Sequence, residues 1–218
     1  MKSILPFLKE LEQNNNRDWF NANKDKYLLA KSEFDLFIES LISELQLIDP
    51  RVAGATAKNT VFRIYKDIRF SKDKTPYKTQ MGAYMIGGGR KAQLPGYYLH
   101  LQNGESFIAG GMYKPGPDHL KAIRKEISNF PEDIVELVEN EHFSKNYSFY
   151  ESDKLKRPPQ GYSAEDEQIE LIKNKHFIAS KRIPDEWISA PDFQQKIIDA
   201  CRGLIPLNNF LFRALIES

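Results

Sequence analysis

The chain of 218 residues holds one cysteine, no long apolar run and almost no net charge, and each shortage removes a class of proteins. With Cys201 alone, neither an intramolecular disulfide nor a cysteine-built metal cluster is available. Cys201 closes the helix-like run Ile197-Ile198-Asp199-Ala200-Cys201, where a small buried thiol is expected. No apolar stretch approaches the ~18 residues of a membrane-spanning helix. Charge enters Met1–Glu10 too early for the apolar core of a signal peptide. A cytoplasmic location without a membrane partner is the resulting expectation. A net charge of +1 means that the chain as a whole is not built for polyanions, so any electrostatic function has to be local. His119, His142 and His176 share no metal-ligand spacing with one another or with acidic pairs, and no Ser/His/Asp order stands out. No metal and no cofactor are expected.

What is present is ordinary for a folded protein: 41% hydrophobic and 28% charged residues, with 14 Phe and 10 Tyr to fill a core. The length is large for one domain without requiring two, and no repeat or low-complexity linker divides it, so a single domain over 1–218 is expected. Leu5, Leu8 and Leu11 mark a short amphipathic helix ending before Asn14-Asn15-Asn16, and a second helical stretch starts near Asp18. Tyr27, Ala30, Phe34, Phe37, Ile38, Leu41, Leu45 and Ile48 then recur at helical spacing up to Asp49-Pro50. From Thr60 the period becomes two: Val61–Tyr65 and Met81–Ile86 read as strands. Pro95-Gly96 introduces the strand Tyr97–Gln102, and Asn103-Gly104 signals a two-residue hairpin into Glu105–Tyr113. Helices follow from Pro117, from Pro131 and over Ala164–Asn174; Leu155–Tyr162 is an irregular loop, and Phe177–Ile183 is a further strand candidate. A last helical region opens at Pro191-Asp192-Phe193 and is expected to break at Gly203 and Pro206. Short turns between strands favour an antiparallel meander, flanked by N-terminal and C-terminal helices: an α+β fold.

The chemistry concentrates in Arg63–Lys78, where six Lys or Arg face two Asp. Arg63, Arg69, Lys74 and Lys78 interleave with the hydroxyls of Tyr65 and Ser71, the inventory of a phosphate or carboxylate site: cations for attraction, short hydroxyls and turn N–H groups for direction. The bland alternative is a solvated loop in which Asp67 and Asp73 pair with neighbouring cations. In the strand Tyr97–Gln102, parity puts Tyr97, Leu99 and Leu101 on an apolar face and Tyr98, His100 and Gln102 on a polar one. His100 is therefore the best acid–base candidate, with Tyr98 beside it. If the polar faces of the two strands coincide, Arg63, Tyr65, Tyr98 and His100 line one groove. Gly87-Gly88-Gly89 lacks the spacing of a phosphate loop and reads as a flexible hairpin tip. Lys154-Leu155-Lys156-Arg157 is a second basic cluster, either solvated or completing the anion site.

Several segments match a known pattern in order: Asn15-x-Arg17-Asp18-Trp19-Phe20, Arg69-Phe70-Ser71-x-Asp73-Lys74-x-Pro76-Tyr77-Lys78-Thr79, Pro95-Gly96-Tyr97-Tyr98, and Leu155-Lys156-Arg157-Pro158-Pro159-x-Gly161-Tyr162. Together they resemble a bacterial and fungal family of conserved hypothetical proteins, a domain of unknown function. The resemblance spans nearly the whole chain and implies one full-length domain without naming a reaction. The family's usual Arg-Asp before Ile-Arg-Phe stands here as Lys66-Asp67, which keeps the charge and loses the bidentate fork. Three functions are compatible with these residues. The first is a site for a small phosphorylated or carboxylated ligand, with or without catalysis. The second is a nucleic-acid-binding module, disfavoured by a local charge of only +4 on a nearly neutral chain. The third is a protein-interaction domain built on an exposed apolar patch.

Overall fold

The computed structural model describes residues 1–150 and 152–216. It contains helices at both ends and a five-stranded antiparallel sheet, so the fold is α+β. The strands are β1 (Met81–Met85), β2 (Gly96–Leu101), β3 (Phe107–Met112), β4 (Ser148–Phe149) and β5 (Phe177–Arg182), in the order β1-β2-β3-β5-β4. The chain forms two compact units, one from residues 1–92, 98–108 and 182–199, the other from 93–97, 109–181 and 200–218.

In the first unit, α1 (Ile4–Gln13) buries Ile4, Phe7, Leu8 and Leu11 on one stripe. The Asn16 side chain accepts the Trp19 N–H and starts α2 (Arg17–Ala22). The long α3 (Lys24–Ile48) turns Ala30, Phe34, Ile38, Leu41 and Leu45 inward, as their spacing of three and four dictates. It stops where Asp49 becomes extended ahead of Pro50. The Asp49 carboxylate is buried and is compensated by Arg51 at 2.6 Å. After the single turn α4 (Ala57–Thr60), β1 follows. The glycines beyond β1 are no flexible tip: Gly89 is buried at φ +69°, and a Cβ there would lie 2.4 Å from the Asn59 carbonyl oxygen. Close backbone packing, not mobility, accounts for that glycine. Between β2 and β3 the connection is longer than two residues, running through Gly104 at φ +69°, because Gln102 N–H turns aside to the Ser106 hydroxyl. The short α9 (Asp185–Ile188) returns Asp185 to accept the Gly104 N–H at 2.9 Å.

In the second unit, α5 (Pro117–Asn129) starts on proline and buries Ile123 and Ile127. Helices α6 (Glu132–Glu139) and α7 (Glu141–Asn146) follow. The expected helix over 164–174 shrinks to α8 (Ile169–Ile172), since Ser163 and Asp166 hold the preceding residues in turns. Residues 155–162 are irregular, as proline content requires. The last helix, α10 (Phe193–Ile216), runs unbroken through Gly203 and Pro206. Cys201, Leu204, Leu207, Leu211 and Ala214 are buried along it, and this stripe outweighs the ~3 kcal/mol that an interior proline costs. Gly203 instead makes room for Tyr147, whose hydroxyl donates to the Ala200 carbonyl at 2.8 Å. Among the described residues no helix is long and apolar enough to cross a membrane.

Candidate functional site

The basic segment lies in the first unit and has two parts, a base and a tip. At the base, Val61 bridges Ala83 and Tyr65 bridges Tyr77; the Phe62 N–H reaches the Gly82 carbonyl at 2.9 Å and the Lys78 N–H the Ile64 carbonyl at 2.8 Å. These are isolated bridges around a bend at Ile64, so the expected strand over 61–65 does not form. The bend also defeats the parity reading: Ile64 is buried while Phe62 remains 39% exposed. Tyr77 anchors the base. Its backbone exchanges two hydrogen bonds with the Asn15 side chain, at 3.0 and 3.1 Å, and its ring stacks on Phe20 at 3.9 Å. Asn15 and Phe20 thus join a segment near the start of the chain to Tyr77, 62 residues further on in the case of Asn15.

The tip is the excursion between Lys66 and Pro76, whose ends meet at 2.9 Å. Three of its four cations find oxygens within the loop, and Lys72 makes no ion pair among the described residues. Arg69 forks onto Asp67 at 2.6 and 2.9 Å, Lys66 pairs with Asp73 at 2.7 Å and with the Thr75 hydroxyl at 2.6 Å, and Lys74 donates to the Ile68 carbonyl at 3.0 Å. Lys66 thus acts as a point charge between two oxygens. The Arg69 guanidinium holds the exposed Asp67 carboxyl down to about 2. Asp73 is lowered further by Lys66 and by hydrogen bonds from Thr75. Ser71 makes no hydrogen bond among the described residues, and Phe70, 96% exposed, projects beside Arg69.

Two neighbouring cations lie at the base. Among the described residues no carboxylate lies within ion-pairing distance of Arg63 or Lys78, while Arg63 helps from further away to lower the Asp67 carboxyl. Lys78 is half-buried with its ammonium 5.5 Å from the centre of the Phe62 ring, and burial followed by repulsion from Arg63 lowers its pKa. The other side of this cluster is β2. Phe62 meets Tyr98 edge-on at 6.1 Å, and His100 stacks on Phe107 at 4.7 Å. Gly82 permits this arrangement, since a Cβ there would stand 2.6 Å from the Tyr98 hydroxyl. Tyr98, His100 and Gln102 do share a face, as period two requires, while Tyr97, Leu99 and Leu101 are buried. The Tyr98 hydroxyl lies 3.0 Å from His100 Nδ1, His100 Nε2 lies 3.0 Å from Gln102 Oε1, and Gln102 Nε2 donates to Glu105 at 3.2 Å. Burial lowers the His100 pKa, opposed by the Gln102 hydrogen bond and the Glu105 charge; burial pushes Tyr98 up to about 12.

Of the anticipated groove, the structure brings Tyr98 and His100 together and adds Phe62, Lys78 and Phe107. Tyr65 belongs elsewhere, in a ring cluster with Phe20 and Tyr77. Phe62 and Phe107 were not legible as site residues, because apolar residues in a two-residue period point to core. The second unit holds a contrasting histidine. His176 is buried, accepts the Lys114 N–H at Nδ1 (3.0 Å), faces Asp153 through Nε2 (3.4 Å) and stacks on Tyr113. Its lone pair is held by a backbone amide, which makes it a latch. Lys154–Arg157 also lies in this unit, with Lys154 4.0 Å from Glu170. Among the described residues no group of three or more His, Cys, Asp or Glu is gathered to hold a metal ion.

The chain belongs to the conserved hypothetical protein family DUF2461, whose family model matches residues 3–210 and so spans both units. No curated protein and no solved structure matches it.

Proposed function

We propose that this member of the DUF2461 family binds a small phosphorylated or carboxylated ligand at the base of its basic segment, through Arg63 and Lys78 beside Phe62 and Tyr98. The observation that carries this is the pair of neighbouring cations without a carboxylate, one of them half-buried. Two like charges held close, with no carboxylate paired directly to either, oppose each other, and a bound anion relieves both the repulsion and the desolvation. Arg69 and Lys74 take a different part, since their donors are already directed at Asp67 and the Ile68 carbonyl. Tyr65 helps to position the base through its bridge to Tyr77 and its place in the ring cluster. The cytoplasmic location expected from the sequence accompanies this function and is checked by cell fractionation.

Titration calorimetry of the full-length chain against inorganic phosphate and a panel of phosphorylated and carboxylated metabolites tests the site. A saturable response that Lys78→Ala and Arg63→Ala each weaken about tenfold and Arg69→Ala leaves intact is the expected result. Binding that depends on Arg69 and not on Lys78 overturns it. A second reading has one observation in its favour: Phe70 stands almost wholly exposed beside Arg69, as a stacking platform for single-stranded nucleic acid would. That reading requires an affinity that falls steeply with salt and is lost in Phe70→Ala.

A further inference from the structure

The polar face of β2 allows every proton on it to be assigned from chemistry. An ionised Glu105 carboxylate only accepts hydrogen bonds, so Gln102 must turn its NH2 towards it. That orientation presents Gln102 Oε1 to His100, which fixes the imidazole proton on Nε2. Nδ1 then keeps its lone pair, and the Tyr98 hydroxyl donates to it. The stack on Phe107 holds the ring plane in which this line runs. His176 shows by contrast what a purely structural histidine looks like: its Nδ1 is occupied by an amide N–H, which has no proton to pass on.

We infer that Tyr98, His100, Gln102 and Glu105 form a proton relay serving the anion site, with Tyr98 touching the ligand and His100 receiving the proton. The inference rests on the anion-site reading, and the substrate class is narrower: an anionic compound carrying an acidic O–H, or a C–H next to a carbonyl. In the step, the ligand's X–H bond breaks and its proton joins the Tyr98 oxygen. The original Tyr98 O–H proton passes to His100 Nδ1. Tyr98 is neutral before and after, His100 becomes an imidazolium, and the ligand gains a negative charge. Arg63 and Lys78 receive that charge, and Glu105, through Gln102, faces the imidazolium. The raised pKa of Tyr98 suits this role, since it opposes a free tyrosinate and favours transfer through the hydroxyl. Gln102 and Glu105 are positioning residues.

Nitrogen NMR of histidine-labelled full-length protein tests the relay, with inorganic phosphate as the probe. The expected spectrum shows His100 as the Nε2–H tautomer. Glu105→Gln, at an exposed position where folding is not at stake, is expected to lower the His100 titration midpoint by about half a unit. Phosphate is expected to raise that midpoint in the parent protein and not in Lys78→Ala. An Nδ1–H tautomer, or a midpoint unmoved by Glu105→Gln, overturns the relay alone and leaves the anion site standing. Phosphate that fails to bind overturns the anion site and the relay with it.

Discussion

The base and the tip of the basic segment are built from the same residue types and do opposite things with them. At the tip, Arg69, Lys66 and Lys74 are each matched by an oxygen of the loop itself. At the base, Arg63 and Lys78 have no such match, and Lys78 lies over the Phe62 ring. A cation with a partner stabilises a loop; a half-buried cation without one is what the proposed anion site draws on. Charge density along the chain does not separate the two, because it counts matched and unmatched cations alike.

Breaking the base is expected to have the largest effect. Tyr77→Ala removes a ring that is only 4% exposed and stacked on Phe20, and a loss of about 3–5 kcal/mol in a denaturant titration is expected. Asn15→Ala leaves the Tyr77 N–H and carbonyl without their partners, and about 1–3 kcal/mol is expected by the same measurement. Lys78→Ala is expected to weaken the binding of phosphate by about tenfold, with little change in stability, as read by calorimetry. Should it unfold the protein instead, Lys78 would be a packing residue and the contrast with the tip would vanish.

At the tip the expected effects are small. Phe70→Ala should move the thermal midpoint very little, since an exposed side chain contributes within about 0.5 kcal/mol. The pH response sharpens the difference further. Asp67 has a carboxyl depressed in the folded state, so its contribution is present above the ordinary carboxylate range and is lost as pH falls towards about 2. Tip resonances in an NMR titration should therefore hold their positions down to pH 4 and move only below it. His100 behaves differently at the base: its pKa is lowered by burial, so the unfolded chain binds the proton more readily and stability declines as pH falls through the ordinary histidine range. Replacing His100 with Asn is expected to flatten that part of the stability profile.

Much of this was legible beforehand, and the reasons are local. The stripe from Ala30 to Leu45 could only be a helix, and parity alone put Tyr98, His100 and Gln102 on one face of β2. The bland alternative for Asp67 and Asp73, pairing with neighbouring cations, is the one the loop adopts. Glu105 was out of reach, because its place beside Gln102 depends on how the turn after β2 closes. So was the role of Asn15, whose partner lies 62 residues away.

Sequence by itself determined the fold class, the long helix, the faces of β2 and the position of the positive charge, since periodicity and charge are properties of adjacent residues. Only the tertiary structure decided which cations have partners, that Val61–Tyr65 bends instead of forming a strand, and that α10 continues through Pro206. Each of those depends on contacts between residues far apart in the chain. A carboxylate compensates a cation by where it stands in space, and burial along α10 outweighs a propensity that the local sequence sets against it.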